Sequence, residues 1–215
     1  MNIQTGISYI FALLLAITVH ESAHAWTAFK LGDPTAYSMG RVTLNPIPHI
    51  DLMGTILLPL IMIVMGGPPF GWAKPVPINP LNLRNPKRDN LIISAAGPLS
   101  NIALAIGCII LLKILYLILP SSLPQSSLAL PVIRAVLTII HALIMINVIL
   151  AVFNMIPIPP LDGSGVLMGF LSPEASRKYE QLQPYGFLII IILLMTGIIG
   201  RILGLIMGLV NLLIY

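Results

Sequence analysis

Five consecutive residues, His20-Glu21-Ser22-Ala23-His24, are of types and at a spacing that can do chemistry together. On a helix, residues i and i+4 share one face a turn apart. Two imidazoles so placed converge on one metal, while Glu21 turns aside to meet a water held there. Imidazole and carboxylate ligands suit zinc. Zinc lowers the pKa of its bound water to about 7, and Glu21 could take that proton and hand it to a leaving amine. A catalytic zinc needs a third protein ligand and one open position. The available side chains are Asp33, Asp51, Asp162, Glu174, Glu180, His49, His141 and Cys108. Asp162 is distinguished by its setting, Asn154-Met155-Ile156-Pro157-Ile158-Pro159-Pro160-Leu161-Asp162-Gly163. Prolines there end a helix and free backbone groups, which suits the lining of a cavity. The same residue is also an ordinary N-cap for a short helix from Gly163 to Leu171. Residue chemistry alone divides these two readings evenly.

The elements that must position these groups follow from composition. The chain has 215 residues, 57% apolar and 8% charged, with mean hydropathy +0.99. A soluble domain carries roughly 25% charged residues. That excludes a soluble globular enzyme, a disordered chain and a disulfide scaffold, and leaves a polytopic membrane protein. Lys and Arg number 11 against 7 Asp and Glu, a net +4. The basic residues lie between apolar runs, which is the pattern of cytoplasmic loops; no nucleic-acid partner is expected. Cys108 is alone and within an apolar run.

A spanning helix needs about 20 mostly apolar residues. Four stretches qualify: Ile7 to Phe29, Asn90 to Leu119, Val132 to Ile156, and Gly186 to the C-terminus. The last contains Gly197, Gly200, Gly204 and Gly208 and is long enough to tilt or break. The stretch from Met53 to Gly67 is short, carries Pro59 and ends in Gly66-Gly67-Pro68-Pro69; it is expected to span or to re-enter. Arg41-Val42-Thr43-Leu44 has strand character, and Lys74-Pro75-Val76-Pro77-Ile78 reads as extended. Residues 120 to 131 read as an uncharged loop. The N-terminal run has no basic leader and holds His20, Glu21 and His24, so it reads as a retained helix, not a signal peptide. The expected fold is an all-α polytopic membrane protein with about four to six transmembrane or re-entrant helices and short extended, β-like re-entrant segments. It forms one domain over residues 1–215, with a core over 7–171 and a C-terminal membrane segment over 186–215.

Placement sharpens the motif. Charged groups within a span cost about 2.5 to 3.5 kcal/mol each. One metal compensates both histidines and Glu21 together; a hydrogen-bonded histidine pair would leave Glu21 without a partner. The two motifs, with Gly97-Pro98-Leu99-Ser100-Asn101 between them, resemble the site-2 protease family of intramembrane zinc metalloproteases over about residues 7 to 171. The resemblance implies one Zn²⁺ held by His20, His24 and Asp162, with Glu21 as catalytic base. It implies that Asn154 faces substrate and supports the oxyanion. It further implies a zinc endopeptidase acting on transmembrane-helix substrates within a lipid bilayer, here a compact member without PDZ or CBS domains. The expected location is a prokaryotic inner membrane, with the site open to the cytoplasm. A metal-binding transporter without peptidase activity is the alternative, and a hydrolase of another bond, such as a lipid amide, a further one. A transporter should spread acidic and His residues along several helices.

Topology adds two expectations. The zinc motifs must share one depth, so residues 53 to 80 should make no net crossing. With the site side cytoplasmic, eight basic residues fall inside and three, Lys113, Arg134 and Arg201, in the opposite half. His49 is expected to serve loop structure, Asn101 helix packing, and His141 and Asn147 interhelical hydrogen bonds.

Overall fold

The computed structural model describes residues 3–66, 71–119 and 129–214. Gly67, Pro68 and Pro69, and most of the uncharged loop at 120–131, lie outside the described residues. Among the described residues, three helices are long and apolar enough to cross a membrane: α1 (Ile3–Leu31), α4 (Pro86–Ile118) and α5 (Ala129–Asn154). The C-terminal pair α8 (Gly186–Met195) and α9 (Ile198–Ile214) makes a fourth span if counted as one, bent by 66°. The break falls at Thr196-Gly197. Shorter helices are α2 (Thr35–Ser38), α3 (Leu58–Val64, entered from a π-helical stretch Leu52–Leu57), α6 (Asp162–Phe170) and α7 (Pro173–Glu180).

Local chemistry sets the helix ends. Gly32 takes φ 112° and closes α1: its N–H reaches the Phe29 carbonyl at 3.2 Å, and the Asp33 N–H reaches Ala28 at 2.9 Å. This paired geometry satisfies carbonyls that a helix end would otherwise strand. At the start of α4, Pro86 occupies the first turn, and the Asp89 carboxylate accepts the Asn85 N–H at 2.8 Å. That places an anion at the positive end of the helix.

α1, α4 and α5 pack as a three-helix core. Ala12, Ala16 and Ile17 of α1 meet Cys108 and Leu112 of α4 and Ile140, Ile144 and Ile146 of α5. Tyr9 donates to the Met145 sulfur at 3.3 Å, and Asn101 bridges Ala16 to Asn147. α1 and α5 therefore run in the same direction and α4 runs against them. Their two crossings return the chain to the level of His20. α9 packs its ends on this core through Ile199, Val210 and Ile214. Between them an apolar groove of about 580 Å³ runs from Ile156 and Pro157 to Leu213.

The described residues between 32 and 82 leave the end of α1 and return to it, where Asn79 and Asn82 bond to Asp33. The Trp72 N–H donates to Gly54 at 3.2 Å, the Thr55 hydroxyl to Trp72 at 2.8 Å and the Lys74 N–H to His49 at 3.0 Å. The excursion between these points makes no net crossing. Among the described residues there is no strand. Arg41–Leu44, expected to be strand-like, is a bend, and residues 71–79 are extended without a ladder. The reason is that their polar groups go elsewhere: the Thr43 carbonyl accepts from the side chain of Ser22, and Pro75, Pro77 and Pro80 have no N–H to give.

Asp33 ties this system down. It is closed to solvent and accepts from the Thr35 N–H and hydroxyl, the Asn82 amide at 2.9 Å and the Asn79 N–H at 2.7 Å. Burial alone would raise its carboxyl; the hydrogen bonds from Asn82, Thr35 and Asn79 bring it below the usual carboxylate range. Replacing Asp33 by Ala should cost about 1–3 kcal/mol through the stranded donors. A carboxyl depressed in the folded state gives stability that is fully present above its unfolded value near 4. That stability is lost as pH falls through the lower folded value. Thermal melts in detergent should therefore show the gap between wild type and Asp33→Ala at pH 7 narrowing in acid.

Candidate metal centre

His20 and His24 project from the second half of α1 toward α4 and the start of α6. Both are buried. His20 Nδ1 lies 2.6 Å from the Asn101 side-chain oxygen, and His24 Nδ1 lies 2.7 Å from the Ile93 carbonyl. The Asn101 amide nitrogen is committed as a donor to Ala16 at 3.1 Å and to the Asn147 side-chain oxygen at 2.7 Å. Its oxygen must then accept, so His20 carries its proton on Nδ1. The Ile93 carbonyl makes the same demand of His24. Both Nε2 atoms are left as lone pairs facing inward.

Asp162 completes the set. It is the first residue of α6, with Leu161 in the capping position, and its side chain makes no capping bond. The helix runs Asp162–Phe170, one residue earlier than the expected Gly163 to Leu171. The N-cap reading of Asp162 is thereby overturned: the carboxylate points to the histidines, with Oδ2 3.0 Å from His20 Nε2 and Oδ1 3.3 Å from His24 Nε2. The two Nε2 atoms are 3.0 Å apart. Ligand atoms from all three residues lie within 4.8 Å of one another. With both histidines protonated on Nδ1, these contacts join acceptors to acceptors. Asp162 Oδ2 is accordingly buried without a hydrogen-bond donor. Two inward lone pairs and a carboxylate at this spacing repel one another and suit a divalent cation. The mixed imidazole and carboxylate set fits Zn²⁺.

The neighbours make room for that convergence. A Cβ at Gly97 would overlap both imidazoles, so α4 can lie against them only with hydrogen at that position. Gly165 and Gly169 let α6 rest on Ser94 and Leu91 of the same helix, which carries Asp162 across to α1. Glu21 is partly exposed and takes none of the site's hydrogen bonds; the histidines, Asp162 and His49 are the charged or chargeable groups within its reach. Asn154 is the last residue of α5 and is half-buried; no hydrogen bond engages its side chain among the described residues.

Among the described residues, no other acidic, His or Cys side chain joins this ligand cluster. Asp33 and Asp51 cap loop structure, Glu174 pairs with Lys178 at 3.3 Å on the surface, and Cys108 is in the core. His141 bonds back to Leu137 of its own helix at 2.7 Å, not to a neighbouring helix as expected. Asn147 does make the expected interhelical bond. Sequence reasoning gave Asn101 to packing; its contact with His20 makes it a support for a site residue. The usable signal was its spacing, since Gly97 and Asn101 are one turn apart and face the same neighbour.

The sequence profile of Peptidase family M50 matches residues 8–197. Among curated proteins, YwhC of Bacillus subtilis, named as a zinc metalloprotease, is 36% identical over 187 residues, covering 87% of this chain and 80% of YwhC. Rip2 of Mycolicibacterium smegmatis, similarly named, is 31% identical over 197 residues, covering 87% of this chain and 66% of Rip2. Rip2 of Mycobacterium tuberculosis H37Rv is 27% identical, with 85% and 64% covered. No solved structure matches.

Removing the Asn101 carboxamide should free the His20 ring and leave buried donors unpaired. Outer-shell partners of this kind are typically worth 10- to 100-fold in metal affinity. Asn101→Ala should show a loss of that order in a chelator competition titration, with helical content kept.

Proposed function

The chain belongs to peptidase family M50, and from that premise we propose that it is an intramembrane endopeptidase cleaving peptide bonds within or near the transmembrane segments of membrane proteins. The chain is an integral membrane zinc metalloprotease by family; the substrate class, the cellular setting and the residue roles are our reading. The observation that carries it is the meeting of His20, His24 and Asp162 beside Glu21.

In this reading His20 Nε2, His24 Nε2 and a carboxylate oxygen of Asp162 would hold the zinc, which would supply Lewis acidity to the scissile carbonyl and to water. Glu21 serves as general base and then as acid toward the leaving amine, from the half-open position it occupies on α1. Asn154, whose amide takes no hydrogen bond among the described residues, donates to the developing oxyanion. Asn101 and the Ile93 carbonyl keep both imidazoles in the tautomer that presents Nε2. Apolar spans exclude water, so the loop segments at 32–50 and 71–82 supply the aqueous side of the site. A substrate helix must unwind before its carbonyl can be reached, which favours segments with Gly, Pro, Asn or Ser.

The lopsided basic residues favour a cytoplasmic site in a prokaryotic inner membrane. Release of signalling fragments and clearance of membrane-peptide remnants are the uses that fit such a site. Against a transporter stands the grouping of ligands: one cluster of three among the described residues, with no relay of acidic or His groups along other helices.

Purified protein incubated with a synthetic transmembrane peptide tests this directly. Wild type should cleave, and Glu21→Gln should lose at least about 100-fold in rate while retaining its zinc by elemental analysis. His20→Ala and Asp162→Ala should lose both. An intact peptide with metal-loaded wild type, alongside metal flux in vesicles, would favour the transporter.

A further inference from the structure

His49 is among the most enclosed side chains of the molecule, 1% exposed, yet it only ends a one-turn 3-10 helix, Ile47–His49, between α2 and α3. Its Nε2 is 3.0 Å from the Thr43 carbonyl. A carbonyl can only accept, so the ring proton is on Nε2. Nδ1 is then an acceptor, buried and with no donor among the described residues. The Thr43 carbonyl also accepts the hydroxyl of Ser22, the residue midway between His20 and His24. His49 Nε2 and Ser22 Oγ approach to 3.4 Å, but both spend their protons on the same oxygen. The pair is therefore no nucleophilic dyad: neither atom is set to take a proton from the other.

The backbone of the same residue reaches the other way. The His49 carbonyl accepts the Lys74 N–H at 3.0 Å. Next to it, the buried guanidinium of Arg41 donates to the Pro48 carbonyl and, at 3.3 Å, to the Lys74 carbonyl. His49 is thus the point where three pieces of chain meet: the turn of α1 carrying Glu21, the bend at 41–44 and the extended segment at 71–79. An apolar ring would fill the space without an unpartnered Nδ1. What histidine adds is one N–H aimed at Thr43.

We infer that His49 is a positioning residue for the catalytic turn: its Nε2–H and its carbonyl together hold the 41–49 and 71–79 segments against the turn of α1 that carries Glu21. The hold acts through Thr43 and Ser22, not on substrate. The effect on catalysis rests on the metallopeptidase reading; the effect on the two segments does not.

The experiment uses the full chain in detergent, with three variants. His49→Ala removes donor and volume, His49→Phe keeps the volume without the donor, and His49→Gln returns an N–H at the distance of Nε2. Hydrogen exchange is followed in peptides covering 41–49 and 71–79, with zinc stoichiometry and kcat and KM on a transmembrane peptide. The expected result is at least about fivefold faster exchange in both segments for Ala and Phe, with near wild-type rates for Gln. Zinc stoichiometry should be unchanged in all three, and kcat/KM should fall at least about tenfold in Ala and Phe and recover in Gln. Unchanged exchange in Ala and Phe overturns the inference, as does a Gln variant no better than Phe. A wild type that fails to cleave, with the exchange pattern as expected, overturns the metallopeptidase reading and leaves the positioning role standing.

Discussion

Three electron-rich atoms, two imidazole nitrogens and a carboxylate oxygen, are held about 3 Å apart in a protein that is mostly hydrocarbon. Without a cation they repel, and without water they are poorly solvated. Much of the surrounding structure is arranged so that they can nevertheless meet. Gly97 removes the atom that would keep α4 away, glycines in α6 bring Asp162 close, and Nδ1 of each histidine is spent on a fixed acceptor.

The same constraint explains the polar residues of the spans. Asn101 and Asn147 are both inaccessible, and each is engaged by a neighbour: Asn147 donates to Leu143 at 2.8 Å, accepts from Asn101, and Asn101 in turn accepts from His20. A fully paired network of this kind is rigid, whereas a half-paired one in an apolar core is costly. It carries the orientation of a metal ligand across three helices, so helix packing and site geometry are one feature and not two.

Outside the spans, a short list of side chains replaces the ladder that a sheet would provide. Asp33, Arg41 and His49 each gather backbone groups from several segments into one buried contact. Proline-rich chain cannot pair with itself along a strand, because it lacks the donors. Side-chain donors and acceptors take over that role, which is why the segments at 41–44 and 71–79 are extended or bent without being strands.

The spacing of His20 and His24 is enough to place both on one face of α1, because helical periodicity is a local property. Composition likewise settles the membrane class and the three long spans, since hydrocarbon thickness sets a length that can be counted. Helix ends shift by only a few residues from expectation, as at α4 and α5. The choice of Asp162 over seven other side chains is different in kind. Local chemistry allows it equally as a cap, and only the packing of α6 across α4 turns its carboxylate to the histidines. Asn101 was hidden for the same reason: its partner His20 lies 81 residues away. Contacts that join remote chain segments depend on how helices pack, and no local pattern of residues encodes them.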